Sequence, residues 1–157
     1  MDYEFAYRYA AASRLDEGGG LELATSGGST PEGEAAHPFF FSGFMERPDV
    51  VAAGLLAVAR VARTRFYVPP GMVPTPGGGL TRIGMLDPVV TSTAEGLRFE
   101  SFSVCCGVYA RLDVEASALD ATHRAVGVTN VDVNQPLRAA LASLRAGEPL
   151  HLDVGSE

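Results

Sequence analysis

The chain contains no lysine, and its 12 basic residues, all arginines, stand against 19 acidic ones. The resulting net charge of −7 opposes the phosphate backbone, whose binding proteins present clustered positive charge. Nucleic acid is therefore disfavoured as the main partner. The missing lysine also excludes a phosphate-binding loop at Gly27-Gly28, where we predict a turn instead.

Long apolar runs and cysteines are scarce as well. The longest apolar run, 50–59, has about half of the roughly 20 residues that a membrane-spanning helix requires. We therefore expect no membrane span. The N-terminus is acidic and aromatic where a signal peptide would be basic and then apolar. With only two cysteines, Cys105 and Cys106, we expect free thiols in a reducing cytoplasm.

The length and composition are those of one globular domain. A chain of 157 residues that is 46% hydrophobic and 20% charged can bury a core without metals or disulfides. We predict a single α+β domain over residues 1–157. Its sheet is predicted to be a mostly antiparallel meander packed against two main helices.

Alternating apolar and polar residues predict the strands. Residues 3–9 and the pair Leu21 and Leu23 have this period. The meander is predicted at 89–93 and 97–102, with a turn at 95–96, and its third strand ends near Val114. The hydrophobic alternation changes phase near Ser101, which requires a bulge or a turn at 103–107.

Proline, glycine and asparagine mark the helices and loops. Pro48 suits the first turn of a helix that we expect to run to about residue 66. Asn134 is the predicted N-cap of a second helix, which opens at Pro136. The glycine- and serine-rich segment 26–36 is predicted to be an exposed loop, and the proline- and glycine-rich segment 68–84 a longer one.

The adjacent cysteines raise the questions of metal binding and catalysis. Neighbouring residues on a strand point to opposite faces, and the three histidines lack the spacing of zinc ligands. We therefore predict no metal and no cofactor. A cysteine nucleophile, Cys105 or Cys106, would need a nearby base, for which His123 is the candidate. If the parity of the third meander strand extends backwards, Cys106 faces the core and Cys105 faces outwards.

Aromatic residues supply the predicted contact surface. Three consecutive phenylalanines cannot all be buried easily in a helix or a strand, and a fourth follows closely. Tyr109 and Arg111 lie on the predicted outer face of the third meander strand. The predicted binding residues are thus Phe39, Phe40, Phe41, Phe44, Tyr109 and Arg111.

A row of polar side chains offers a different kind of site. Asn130, Asp132 and Asn134 share one face of a predicted strand, where they could bind a small polar ligand or a hard cation. The EF-hand pattern is missing, so a calcium loop is excluded. The simpler interpretation is a solvent-facing strand that ends at the helix cap.

Segments that together span nearly the whole chain resemble the N-terminal region of actinobacterial SWIM zinc-finger family proteins; they include YRYAAASRLD, AAHPFFFSGF, LRFESFSVCCGVYARLDV and TNVDVNQPLRAAL. The CxCx(n)CxH zinc motif itself is not in this sequence, so no zinc ligand is carried over. The resemblance implies an adaptor role beside MoxR-type AAA ATPases and von Willebrand A proteins. We expect a cytoplasmic, non-catalytic protein-interaction domain that has a protein partner. The alternatives are a cysteine-dependent enzyme and a module that binds a small polar ligand. Self-association of the chain stays open.

Overall fold

The computed structural model describes residues 8–64, 87–147 and 149–156. These residues form an α+β fold, as predicted, and their strands make two mostly antiparallel sheets rather than one. The helices are α1 (Pro48–Arg63) and α2 (Gln135–Ser143). The strands are β1 (Arg14–Leu15), β2 (Leu21–Leu23), β3 (Thr25–Thr30), β4 (Gly33–Ala35), β5 (Phe41–Met45), β6 (Val89–Thr93), β7 (Gly96–Phe102), β8 (Tyr109–Glu115), β9 (Leu119–Arg124), β10 (Gly127–Val131) and β11 (Leu150–Val154).

The strands divide into a five-stranded and a six-stranded sheet. The five-stranded sheet has the order β1-β2-β11-β5-β9, in which β2 and β11 are parallel and the other pairs antiparallel. The six-stranded sheet is antiparallel throughout, with the order β4-β3-β10-β6-β7-β8, and its last three strands are the predicted meander. Side chains from both sheets and both helices share one buried cluster, including Leu152, Phe99, Leu55 and Leu141.

Helix α1 covers the meander. It begins at Pro48, as predicted, because proline fits the first helical turn, where a backbone N–H has no intrahelical partner. Its buried side, which includes Leu55 and Val58, packs against β7, β8 and α2. The helix ends at Arg63, before the predicted end, because Thr64 adopts an extended backbone conformation. Neither helix in the described ranges has the length and apolarity needed to cross a membrane.

Segment 26–36 is not the predicted loop. It contains most of the β3–β4 hairpin at one edge of the six-stranded sheet. Glycine and serine are poor strand formers, which is why their pattern favoured a loop. Pairing with β10 overrides that preference, and the Thr129 hydroxyl donates to the Ser26 carbonyl at 2.9 Å. Gly27-Gly28 therefore lies inside a strand, and its prediction as a turn is wrong.

The turn between β7 and β8 carries both cysteines and absorbs the predicted change of phase. The Cys106 N–H donates to the Ser103 carbonyl at 2.8 Å, and Cys106 has a left-handed φ of 56°. The Ser103 hydroxyl accepts from the Val108 N–H at 3.0 Å. The alternation of β8 therefore does not extend back to the cysteines. The prediction that Cys106 faces the core is wrong: Cys106 is exposed and Cys105 is half-buried.

Two predicted elements fall largely or wholly outside the described residues. Only residues 8 and 9 of the predicted strand at 3–9 are described, and neither is in a strand. The Tyr9 hydroxyl instead donates to Asp87 Oδ2 at 3.0 Å. The predicted loop at 68–84 lies entirely outside the described ranges.

Candidate functional site

The five-stranded sheet carries a cleft of about 540 Å³, which we call the histidine cleft. Strands β2, β5, β9 and β11 contribute to its wall, together with the segments that precede β1 and β5. The residues that matter for its chemistry are Glu22, His37, Phe39, Ser42, His123 and Asp153. Polar, aromatic and titratable side chains therefore converge on one solvent-open concavity.

Strand alternation places side chains of β5 and β11 on the face of the sheet that carries the cleft. Along β5, Ser42 and Phe44 alternate with residues that are buried in the core. Along β11, His151 and Asp153 alternate with buried residues in the same way. The register aligns Ser42 with Asp153 and Phe44 with His151. Two adjacent strands thus present four side chains outwards, side by side.

A bulge lies at the position where Ser42 meets the cleft. The register of the β5–β9 pair shifts between Ser42 and Gly43. A Cβ atom at Gly43 would overlap the Asp120 carbonyl, so the two backbones approach closely at this point. The Thr122 hydroxyl donates to the Ser42 carbonyl at 3.0 Å. Bulges of this kind redirect side chains and are frequent beside functional sites.

The three histidines of the chain, far apart in sequence, lie in or next to the histidine cleft. His37 Nδ1 donates to the Thr25 carbonyl at 3.0 Å, and His123 Nε2 donates to the Phe39 carbonyl at 3.1 Å. The His123 ring also stacks on the Phe39 ring, with 4.3 Å between centroids. In a neutral ring, the second nitrogen of each is then a hydrogen-bond acceptor.

His151 connects two side chains of the cleft wall. Its Nε2 atom lies 3.4 Å from Ser42 Oγ, and its Nδ1 atom lies 3.3 Å from Asp153 Oδ2. The Phe44 ring meets the imidazole edge-on at 5.0 Å between centroids, which restricts the orientation of the imidazole. The side chains of His151 and Asp153 are 34% and 29% exposed. The result is a partly buried Ser–His–Asp series that opens to solvent.

The predicted aromatic contact patch is divided by the fold. Phe40 and Phe41 are each 0% exposed, so the prediction that they form a contact surface is wrong. Phe41 occupies a core-facing position of β5, and the Phe40 N–H donates to the Val154 carbonyl at 2.8 Å. Phe39 is half-buried in the cleft wall, and Phe44 is 44% exposed. A binding role for these last two stays a prediction.

The polar row is engaged in internal hydrogen bonds. Asn130 Nδ2 donates to a backbone carbonyl at 3.3 Å. Asp132 Oδ2 accepts from the Ser13 N–H at 2.9 Å and from Asn134 Nδ2 at 2.7 Å. Asn134 Oδ1 accepts from the Leu137 N–H at 2.9 Å, which confirms the predicted N-cap. These bonds hold the β10–α2 connection against the N-terminal segment, and they weaken the case for a ligand site there.

Replacing Asn134 by alanine is expected to lower the free energy of unfolding by about 1–2 kcal/mol, because the cap of α2 and the bond to Asp132 are both lost. Urea unfolding followed by circular dichroism measures this loss. The control is Gln135→Ala at the neighbouring exposed position, which should change little. Equal effects of the two substitutions would contradict the structural role of Asn134.

The cysteines and His123 lie on elements of different sheets. The cysteine turn joins two strands of the six-stranded sheet, and the Val104 N–H donates to the Thr64 carbonyl at the end of α1. Cys105 Sγ lies 3.4 Å from Ser103 Oγ. His123 belongs to β9 of the five-stranded sheet. A cysteine nucleophile with His123 as base stays a prediction that none of these contacts supports.

Tyr109 and Arg111 belong to a polar network on the six-stranded sheet. Arg111 Nε lies 2.6 Å from Asp113 Oδ2, and Arg98 Nε lies 2.8 Å from Asp113 Oδ1. Hydrogen bonds from Arg111 and Arg98 lower the pKa of Asp113. The Tyr109 hydroxyl donates to Glu100, and this bond raises the pKa of Tyr109. These predicted binding residues are thus on a different sheet from the histidine cleft.

The sequence did not single out Ser42, His151 or Asp153. The available signal was the His-x-Asp spacing of 151–153 within a strand, which places both side chains on one face. Ser42 lies 109 residues before His151 in the sequence, so only the pairing of β5 with β11 brings them together. No group of three or more histidine, cysteine, aspartate or glutamate side chains within the described ranges could hold a metal ion.

Comparison with protein-family models, with curated proteins and with solved structures finds no match to the chain. The resemblance to SWIM zinc-finger family proteins therefore stays a prediction.

Proposed function

We propose that this domain is a protein-interaction module that binds an extended segment of a partner protein in the histidine cleft. The observation that carries the proposal is the convergence of Phe39, His37 and His123 on one open concavity of about 540 Å³. Binding sites are typically concave, of a few hundred Å³, and lined by aromatic groups with a few polar ones. The adaptor role implied by the family resemblance agrees with such a site.

The charge of the cleft favours a neutral or basic segment. Glu22 and Asp153 contribute carboxylates, and none of the described residues that line the cleft is an arginine. Arg14 pairs with Glu22 at 2.8 Å, beside the cleft, and compensates its charge. Asp153 is the other carboxylate of the lining, and its partner among the described residues is His151. The net charge of −7 acts in the same direction at longer range. Both the acidic cleft and the net charge of the chain would repel an acidic partner segment.

Two aromatic rings provide anchoring contacts. Phe39 lines the cleft, and Phe44 lies on the same outward face, 44% exposed, against His151. Aromatic side chains that become buried on binding contribute disproportionately to affinity. The AAA ATPases and von Willebrand A proteins implied by the resemblance are the first proteins in which to seek such a basic, partly apolar segment.

A labelled peptide of alternating arginine and leucine tests this proposal by fluorescence polarisation. We expect Phe44→Ser to weaken binding by about tenfold, because burial of a phenylalanine contributes about 1.5–3 kcal/mol. The matched control is Phe102→Ser, which removes a phenylalanine of 49% exposure from the six-stranded sheet.

A glutamate–leucine peptide of equal length is the charge control and should bind much more weakly. Equal losses with the two serine variants would mean that binding does not depend on the position of Phe44 beside the cleft. Either that result or equal binding of the two peptides would overturn the proposed site.

A further inference from the structure

We propose that Ser42 is a nucleophile, with His151 as its general base and Asp153 as the residue that positions His151. The cleft would then accept a neutral or cationic carboxylic ester. This activity uses the same cleft as the proposed protein-binding site but does not rest on that function, since the nucleophile needs no protein partner. It rests on three observations: the atom order of the series, the setting of His151 and the charge of the cleft wall.

The atom order matches the roles. His151 presents Nε2 to the serine hydroxyl at 3.4 Å and Nδ1 to the aspartate carboxylate at 3.3 Å. A carboxylate close to Nδ1 favours the proton on that nitrogen, which leaves Nε2 to accept the proton of the serine. With the proton on Nε2 instead, a protonated nitrogen would face the serine hydroxyl, and no base would be available to accept the hydroxyl proton.

The setting of His151 differs from that of the other two histidines. His37 and His123 each donate a ring nitrogen to a backbone carbonyl, which is a structural anchoring bond. His151 faces a side chain with each nitrogen, and the Phe44 ring lies nearly perpendicular to the imidazole. The bulge of the β5–β9 pair lies on β9, where Thr122 is the extra residue opposite Ser42 and Gly43. These features support the serine and its base on two paired strands rather than on separate loops.

The cleft wall indicates the class of substrate. Asp153 repels anions, whereas the charge of Glu22 is compensated by Arg14. The described lining residues include no arginine that would bind a phosphate or carboxylate group. Phe39 and a stretch of alanines, 10–12, offer an apolar surface for an acyl or alkyl group. Phosphate esters and acidic substrates are therefore disfavoured, and an uncharged or amine-bearing carboxylic ester fits.

The reaction balances without a cofactor. Ser42 Oγ bonds to the carbonyl carbon while His151 Nε2 takes the hydroxyl proton. The bond from that carbon to the alcohol oxygen then breaks, and His151 returns the proton to the departing alcohol. Water attacks the acyl-serine by the same proton route, which releases the carboxylic acid and restores Ser42.

An uncharged alkyl fluorophosphonate tests the nucleophile directly. It forms a bond from Ser42 Oγ to phosphorus and releases fluoride, and intact mass followed by peptide mapping locates the adduct. We expect one adduct per chain, on Ser42. His151→Gln should slow labelling by about 100-fold or more, as expected for the loss of a general base. Asp153→Asn should also slow labelling, and Asp153→Glu should restore part of the rate.

Ser143→Ala, at an exposed serine of α2, is the control and should label like the unmodified chain. Thermal unfolding of each variant identifies a loss that is due to misfolding. Peptide mapping of the unmodified chain needs no variant: absence of an adduct on Ser42, or equal labelling of Ser143, overturns the proposal. Because the probe is small and binds without a partner protein, its failure leaves the peptide-binding result unaffected, and the reverse holds as well.

Discussion

Phe40→Ala is expected to lower the free energy of unfolding by about 3–5 kcal/mol, whereas Phe44→Ala should change it by less than about 1 kcal/mol. The two residues are four positions apart in sequence and have the same side chain. Their exposures are 0% and 44%. The loss at Phe40 comprises the removed apolar burial and the cavity that remains.

The surroundings of Phe40 limit how far that cavity can collapse. Its N–H donates to the Val154 carbonyl and its own carbonyl accepts from the Ala125 N–H, so its backbone is held on both sides. Its ring lies against Gly127, where an added Cβ would come within 2.5 Å of the ring carbons. Backbone atoms of paired strands cannot move inwards to fill the space, which places the expected loss in the upper part of the usual range.

Urea unfolding followed by circular dichroism measures both variants. A loss of 3–5 kcal/mol is a large part of the stability of an ordinary domain, so Phe40→Leu provides a milder variant if the alanine chain does not fold. It should lose less than Phe40→Ala and more than Phe44→Ala. A Phe40→Ala variant as stable as Phe44→Ala would contradict the core position of Phe40 and restore the predicted contact patch.

Local patterns predicted the elements whose determinants lie within a few residues. The β6-β7-β8 meander follows from alternation, the start of α1 from Pro48, and the start of α2 from the Asn134 cap. The change of phase near Ser101 also identified the β7–β8 turn correctly. The cysteine orientations were missed, because extending a strand parity through a turn ignores the left-handed residue that ends it.

Local patterns could not predict the candidate site, because its residues come together through the pairing of strands that are distant in sequence. His151 and Asp153 share a strand, but Ser42 and His123 reach them only through the β11-β5-β9 order of the five-stranded sheet. The histidines looked scattered because sequence spacing reports neighbours along one element only. A search for His-x-Asp or Ser-x-aromatic pairs on predicted strands would have found the individual residues of the site. It would not have shown which strands pair, or in which register.

Gly28→Ala is expected to lower the free energy of unfolding by about 2–3 kcal/mol, while Gly27→Ala should leave it unchanged or raise it by up to about 1 kcal/mol. Both glycines lie in β3, adjacent in sequence, so strand propensity and chain entropy are nearly the same for each. The difference is steric. A Cβ at Gly28 would lie 2.5 Å from the Val128 carbonyl oxygen and 2.7 Å from the Thr129 Cβ.

At Gly27, by contrast, the nearest heavy atom to an added Cβ is the Ala35 carbonyl oxygen at 4.0 Å. The added methyl group meets open space, and alanine reduces the conformational freedom of the unfolded chain. At Gly28 the obstructing atoms belong to the backbone and branch point of β10, so relief requires β3 and β10 to separate. Equal stabilities of the two variants in urea would mean that residues 25–30 do not pair with β10. The loop that was predicted from the glycines would then be the better description of this segment.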